Sequence, residues 1–382
     1  MAELSIGQRV IGPGRPVYFV AELSGNHHRD YAEAERLIRA AKEAGADAIK
    51  SQVYTPDTIT VNASSEPYLI RGTNEAWDGK TLYQLYGEAY TTWEWLPKMK
   101  ELSNRLGMDF FASVFDETAV DWLEREVGVP VHKIASFEIV DIPLIEHAAR
   151  TGRPMIISTG MASLSEIEEA VAAARRAGAS QVGLLKCTSA YPSPASAMNL
   201  QAIPYLAAAF QAPVGLSDHT LGIAVPIAAV AYGACFIEKH LTLSRAVPGP
   251  DSAFSVEPDE FKAMVEAVRV AEQARGEVRF GAADVERSSI VFRPSLVVTR
   301  DIKAGELFTR ENVDTRRPGY GLPPKFLGEV LGRIAMLDLP LGTPLDWPYV
   351  GAPAEGMEAV REVTAGSAPG RDRWHMTFGG KP

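Results

Sequence analysis

VYFVAELSGNHHRDYAEAERLIRAAKEAGADAIKSQV, residues 17–53, reads as one strand–helix–strand unit. Its outer runs, VYFVAEL (17–23) and ADAIKSQV (46–53), are too continuously apolar for a half-exposed strand. Runs of that kind suit parallel strands covered on both faces. Between them Ala34, Leu37, Ile38 and Ala41 recur at helical spacing, and Gly45 suits the residue that ends the helix. The alternation continues, with further strands expected at 108–114, 131–136, 154–158, 181–186, 213–217 and 234–239. Helices are expected at 93–106, 117–127, 164–177, 199–210 and 222–232, and another at 258–275. Eight evenly spaced strand–helix units predict an α/β fold of the TIM (β/α)8 barrel type, with a doubly wound sheet as the alternative.

Three parts follow along the chain. Residues 1–282 are expected to form the barrel with an N-terminal extension, and 290–349 a small β-rich domain of short alternating segments. Residues 351–382, rich in Gly, Pro, Ala and Arg, are expected to be a flexible tail. The connection 55–90 exceeds an ordinary strand–helix loop and is expected on the substrate side.

Composition narrows the function classes. The formal charge is −10, from 38 basic and 48 acidic residues, and no basic block stands out, so nucleic acid is disfavoured as a partner. Cys187 and Cys235 both lie in apolar runs and suggest no disulfide framework, which fits a reducing compartment. MAELSIGQRV does not read as a secretory leader, and no apolar stretch is long enough to span a bilayer. A cytoplasmic protein without membrane association is therefore expected.

Chemistry-bearing residues gather at the expected strand ends. PVGLSDH (213–219) and ACFIEKH (234–240) each close on a histidine, so His219 and His240 should emerge on the same face. Two imidazoles beside carboxylates fit a divalent metal site, with two structural histidines as the bland alternative. Glu22, Asn26 and His27 follow the first strand, Lys50 and Gln52 lie in the second, and Lys133, Ser136 and Glu138 mark the fourth. Glu238 and Lys239 precede His240 in the eighth. Charges inside a barrel need partners, and an anionic ligand would supply them. Lysines with neighbouring serine hydroxyls could cradle a phosphate. Ser217-Asp218-His219 is not a hydrolase triad, because adjacent residues cannot converge in that geometry. Taken alone, a strand-end serine is more often a turn or cap residue than a ligand contact, and Lys50 reads equally as a member of a structural ion network. A Schiff-base aldolase using Lys50 or Lys133 and a non-catalytic sugar-binding protein are the competing classes.

AELSGNHHRD, KIASFEIVDIPLI, STGMA, LLKCTSAYPSP, GLSDHTLG and EKHLTLSRAVPGPDSAFS, occurring in this order, resemble the sialic acid synthase family. The segment around RRPGYG is similar to that family's antifreeze-like (SAF) domain. The resemblance implies condensation of phosphoenolpyruvate with an open-chain amino-sugar aldehyde, releasing phosphate by C–O cleavage. It implies that His219 and His240 bind a divalent metal, typically Mn2+, and that Glu22 and Glu138 handle protons. Lys50, Lys133, Ser136, Ser158, Ser189 and Ser217 match phosphoenolpyruvate-binding positions. Gln52, Tyr191, Asp251 and Arg317 match sugar-side positions, and Phe115 and Phe292 are candidates for an apolar part of the sugar pocket. Arg317 would enter a neighbouring subunit's site in a domain-swapped homodimer. KIASFEI and GPDSAFS resemble the branch acting on 2,4-diacetamido-2,4,6-trideoxy-β-L-altropyranose. N-acetylmannosamine and the legionaminic precursor are the alternatives. Two departures stand out: His28-Arg29 replaces the usual loop glycine, making Arg29 a candidate substrate contact, and Ser189 stands where asparagine is common.

Overall fold

The computed structural model describes residues 3–72 and 77–354. Strands β1 (Leu4–Ile6) and β2 (Arg9–Ile11) pair antiparallel as a hairpin ahead of the barrel. The barrel strands are β3 (Tyr18–Glu22), β4 (Ala48–Val53), β5 (Asp109–Val114), β6 (His132–Ile134), β7 (Met155–Ser158), β8 (Val182–Cys187), β9 (Val214–Asp218) and β10 (Phe236–His240). Each runs parallel to the next, and β10 returns to β3 in a register running from Phe236↔Tyr18 to His240↔Glu22. Closure decides against the doubly wound sheet.

Two short helical pieces, treated below, occupy the long second connection. The barrel's outer helices begin with α1 (Tyr31–Glu43), which turns Ala34, Leu37, Ile38 and Ala41 inward, as their spacing predicts. The Asp30 side chain caps it by accepting from the Ala32 N–H at 2.9 Å. In the long connection lie α2 (Pro56–Ile59) and α3 (Leu82–Ala89), followed by α4 (Leu96–Arg105) and α5 (Glu117–Trp122). The ring is continued by α6 (Ile142–Arg150), α7 (Leu164–Ala177), α8 (Ala202–Phe210), α9 (Ala224–Ala231) and α10 (Pro258–Arg275). Leu144, Ile145, Ala148 and Ala149 are buried on α6, which begins at a Pro-containing segment that masks the helical pattern.

The hairpin was legible only as an extension, yet Leu4, Ile6 and Ile11 are almost wholly buried. Each such side chain contributes about 1.5–3 kcal/mol by leaving water. Leu4 reaches the barrel interior because β8 carries glycine there: a Cβ on Gly183 would stand 2.8 Å from Leu4 Cδ2. On β9 a Cβ at Gly215 would stand 2.4 Å from the Phe236 carbonyl oxygen. The hairpin therefore closes the N-terminal end, leaving the C-terminal strand ends as the place where polar groups can gather.

The chain divides into two units, Met1–Glu277 and Val278 onward. In the second unit β11 (Ser295–Val298) pairs with β12 (Val313–Arg316). After the short α11 (Leu327–Val330), β13 (Arg333–Ala335) pairs with β14 (Val350–Pro353). Leu296, Val298, Ile302, Phe308, Val313 and Leu345 form its core. The expected tail from 351 needs correction, since Gly351–Pro353 complete β14 and are held by pairing with β13. Residues 355–382 of that tail lie outside the described residues. Arg317 stands 6.0 Å over the ring of Phe292, within this second unit. Among the described residues no helix is long and apolar enough to cross a membrane.

Candidate active site

Side chains alternate along each strand, and the register brings one alternate set from every strand to the barrel axis. Glu22 pairs in register with Lys50 and with His240, Ser113 with Lys133, and Ser217 with Glu238. Lys50, Ser113, Lys133, Ser217, Glu238 and His240 line a cavity of about 910 Å³ at the C-terminal ends of the strands, with Glu22 buried beside Lys50.

The floor is an ion network. Lys50 Nζ stands 2.6 Å from Glu22 Oε2 and 3.2 Å from Glu238 Oε1, and donates to Ser113 Oγ at 3.1 Å. Lys133 Nζ lies 3.9 Å from the same Glu238 oxygen, to which Ser217 Oγ donates at 3.0 Å. Burial opposes the Glu238 charge, but the Lys133 and Lys50 ammoniums and the Ser217 hydroxyl outweigh it and pull the carboxyl down to about 2. Glu22 is raised, first by burial and further by Glu238, against the pull of Lys50. Two carboxylates sharing one lysine are thus driven apart, Glu22 upward and Glu238 downward. Burial lowers Lys133 to about 8 despite Glu238.

In the cavity that Lys133 lines, the hydroxyls of Ser136 and Ser189 converge on Gly160. The Gly160 N–H donates to Ser136 Oγ at 3.2 Å. A Cβ at Gly160 would stand 2.3 Å from Ser189 Oγ and 2.7 Å from Ser136 Oγ, so only glycine lets the two close in. Ser158 Oγ is buried with no hydrogen-bond partner. Buried hydroxyls are rarely left unpaired, and this one faces a cavity that can supply an acceptor. Glu138 Oε2 is likewise buried and unpaired, and burial raises its carboxyl to about 7.

The two strand-end histidines meet with ring centroids 5.2 Å apart. His219 Nδ1 lies 3.0 Å from the Thr188 carbonyl, which fixes the proton on Nδ1 and leaves the Nε2 lone pair open. His240 Nδ1 is buried without a partner. Burial, then the neighbouring His219, holds His240 well below the usual imidazole range and keeps it a neutral donor. Two imidazoles so placed fit a divalent cation. Among the described residues no cluster of three His, Cys, Asp or Glu donors is found, so oxygens of solvent or substrate would complete the coordination.

Aromatic rings wall this end. Tyr191 is 4.5 Å from His219, and Phe254 is 5.1 Å from His240. Gln52 Nε2 donates to Ser24 Oγ at 3.2 Å, and that hydroxyl also bonds Asp251. Phe115 lines the cavity and packs edge-on against Tyr54 at 5.1 Å. From the long connection, Leu69, Ile70, Leu82 and Leu85 face the same space, which places 55–90 where its length and composition suggest. Trp77 donates through Nε1 to the Pro250 carbonyl at 2.7 Å.

Most expected residues of the first unit therefore meet in one cavity: Glu22 lies within its ion network, and the lysines, serines, histidines, Gln52, Glu138, Tyr191 and Asp251 line it. Phe292 and Arg317 belong to the second unit. Arg29 requires a correction. Instead of facing substrate it is exposed, stacks 3.7 Å over the Tyr90 ring and donates to the Gly87 carbonyl at 3.1 Å. His27 is structural, with Nε2 3.0 Å from Thr91 Oγ1 and burial lowering it to about 4. Glu238 was visible among the strand-end polar groups without a role. Its spacing two residues before His240, on the same strand face, was the available signal. Phe254 and Trp77 carried none, since both lie in irregular segments.

A closed barrel whose C-terminal strand ends gather buried lysines, hydroxyls and two imidazoles in one cavity is an enzyme-type site suited to a small anionic substrate. The model of the NeuB family matches residues 37–280, and the SAF domain model matches 293–350. The chain is 43% identical over 333 residues to pseudaminic acid synthase of Helicobacter pylori, covering 87% of this chain and 97% of that protein. It is 37% identical over 346 residues to N,N'-diacetyllegionaminic acid synthase of Legionella pneumophila, covering 89% and 96%. The crystal structure of N-acetylneuraminic acid synthetase from Leptospira borgpetersenii superposes with a TM-score of 0.66 at 35% identity, covering 75% of this chain and 95% of that one. The chain belongs to the NeuB family, with a C-terminal SAF domain. It is a phosphoenolpyruvate-dependent enzyme of the sialic acid synthase class, most like the pseudaminic acid synthases.

Proposed function

We propose that this chain condenses phosphoenolpyruvate with open-chain 2,4-diacetamido-2,4,6-trideoxy-β-L-altropyranose and water to give pseudaminic acid and phosphate. C3 of phosphoenolpyruvate bonds to the aldehyde carbon, water oxygen bonds to C2, and the C2–O bond to phosphate breaks. The observation that carries this reading is the meeting of a serine–lysine cradle and two neighbouring imidazoles in one cavity, with Ser158 Oγ and His240 Nδ1 buried there without a partner.

Lys133 and Lys50 balance the carboxylate and phosphate charges, Ser136, Ser158 and Ser189 donate hydroxyl hydrogens to them, and Ser217 lines the same cradle while its own hydrogen holds Glu238. As the C–O bond breaks, charge grows on the phosphate oxygens, where preorganised donors are worth most. Glu138, near 7, holds a proton at mildly acidic pH and can exchange it with the water or the departing phosphate. Glu22, which pairs with Lys50, would pass a proton to the new hydroxyl. Gln52, Tyr191 and Asp251 orient the sugar. His219 and His240 would hold Mn2+, which supplies polarisation of the aldehyde oxygen. The reading includes a homodimer in which Arg317 of one chain serves the other's sugar. Mixing Lys133→Ala and Arg317→Ala chains should then restore activity, and no rescue after confirmed exchange removes the swap.

The deciding assay is phosphate release from phosphoenolpyruvate against a panel of amino-sugar acceptors, with the product mass determined. Release with the diacetamido-trideoxy sugar in preference to N-acetylmannosamine is expected. No release with any acceptor overturns the reading. The lowered Lys133 favours one rival, a Schiff-base aldolase, because a partly neutral lysine is nucleophilic. Activity in chelator together with a borohydride-trapped adduct would establish that rival instead.

A further inference from the structure

Lys50 and Lys133 both line the cavity, and the barrel engages them unequally. Lys50 is held by Glu22 at 2.6 Å, by Glu238 at 3.2 Å and through its bond to Ser113. Burial opposes its charge, but the two carboxylates outweigh burial and raise it above the ordinary lysine range. Lys133 is as deeply buried, yet it donates no hydrogen bond among the described residues, and Glu238 Oε1 lies 3.9 Å from its nitrogen. We propose that Lys133 is a covalent attachment point for aldehydes that carry a phosphate group, which close on it as an imine and block the enzyme. The proposal rests on the reading of the serine–lysine cradle as a phosphate site.

Three observations combine. The amine shares its cavity with the hydroxyls of Ser136, Ser158 and Ser189, and Ser158 Oγ is buried without a partner. A phosphate seated on those hydroxyls confines the rest of its molecule to the space around the amine, which replaces a chance encounter by a local one. Burial, against the pull of Glu238, also lowers Lys133 to about 8, so its ammonium readily yields the proton that must leave before nitrogen can attack. The nitrogen then bonds to the aldehyde carbon, and the aldehyde oxygen departs as water with the two amine hydrogens. No oxidant or reductant is consumed. Lys50 is a poor competitor, because two carboxylates hold its proton. The adduct is a dead end rather than the aldolase route: it forms without phosphoenolpyruvate and fills the place that phosphoenolpyruvate takes.

The probe is pyridoxal 5′-phosphate at pH 8, fixed with borohydride, with the modified lysines located by peptide mass mapping. Lys133 should carry label, and phosphate release should fall in proportion to it. Saturating phosphoenolpyruvate should slow labelling of Lys133 by about tenfold or more and leave the exposed Lys262 and Lys325 unaffected. Pyridoxal, which lacks the phosphate, should label Lys133 slower than its phosphate by about tenfold or more. Lys133 left unlabelled, or labelled equally in either comparison, overturns the attachment while the condensation stands. The condensation reading falls separately, if the untreated enzyme releases no phosphate with any acceptor.

Discussion

Lys50 and Lys239 are both buried ammoniums near the tops of barrel strands, and they meet the cost of burial in opposite ways. Lys239 faces away from the axis and donates to Asp218 Oδ2 at 2.5 Å and to the Thr220 carbonyl at 2.7 Å. Asp218 in turn accepts from the Thr220 N–H at 3.1 Å and its hydroxyl at 3.2 Å. That set is saturated. Lys50 faces the axis, shares two carboxylates that repel each other, and belongs to a cavity holding the unpaired Ser158 Oγ, Glu138 Oε2 and His240 Nδ1. The same residue types thus build structure where every polar atom is satisfied, and a site where several await a ligand.

The largest expected effect lies wholly on the open side. His219→Ala and His240→Ala, and separately removal of divalent metal by chelator, should each abolish phosphate release while the thermal unfolding midpoint of the metal-free protein barely moves. Turnover surviving in either variant would return the histidines to a structural role.

Next comes the contrast itself. Lys133→Met should lower phosphate release by about 10²–10³-fold or more and leave the fold intact. Lys239→Met leaves Asp218 charged and unpaired in the interior and should cost about 3–5 kcal/mol of stability. Denaturant unfolding of the two variants reads this directly. A stable Lys239→Met protein, or an unfolded Lys133→Met protein, breaks the division.

Gly160→Ala should act more gently, spreading Ser136 and Ser189 and raising the phosphoenolpyruvate KM by about tenfold, with little change in the acceptor KM. Its counterpart Gly215→Ala touches only packing around Phe236 and should register as about 1–3 kcal/mol of lost stability. Exchanged readouts would mean that Gly160 is a packing residue.

The smallest effect concerns Glu138, whose carboxyl sits near 7 when folded against 4.5 ordinarily. Between those values the folded chain keeps a proton that the unfolded chain has lost, so stability falls as pH rises through this window. Glu138→Gln removes the dependence and should stabilise the protein at pH 8 relative to pH 5 by at most about 3 kcal/mol. Parallel unfolding curves for the two proteins across that range would show that Glu138 does not titrate there.

Much of this was legible in advance, and the particular misses explain the rest. The inward face of α1 followed from its spacing, because helical periodicity is a local property. The strand-end histidines were readable for the same reason. The hairpin at residues 4–11 was not, since three-residue strands carry too little pattern, and its value depends on Gly183 far along the chain. Arg29 looked like a ligand contact because it replaces a loop glycine, yet the nearby Tyr90 ring and Gly87 carbonyl claim it. The β14 residues looked like tail because Gly-Ala-Pro has weak strand preference, and pairing with β13 overrides it.

By itself the sequence determined the eight barrel strands and most of the helices between them, that those strands are covered on both faces, and which residues stand at their C-terminal ends. Those properties follow from the order of apolar and polar residues along short stretches. Only the tertiary structure decided that Lys50 shares Glu22 and Glu238, that Ser136 and Ser189 close on Gly160, and that Leu69 and Leu82 line one cavity with the lysines. The physical reason is register. Alternation is set within one strand, but the partner a side chain meets is set by how eight strands are staggered when the sheet closes.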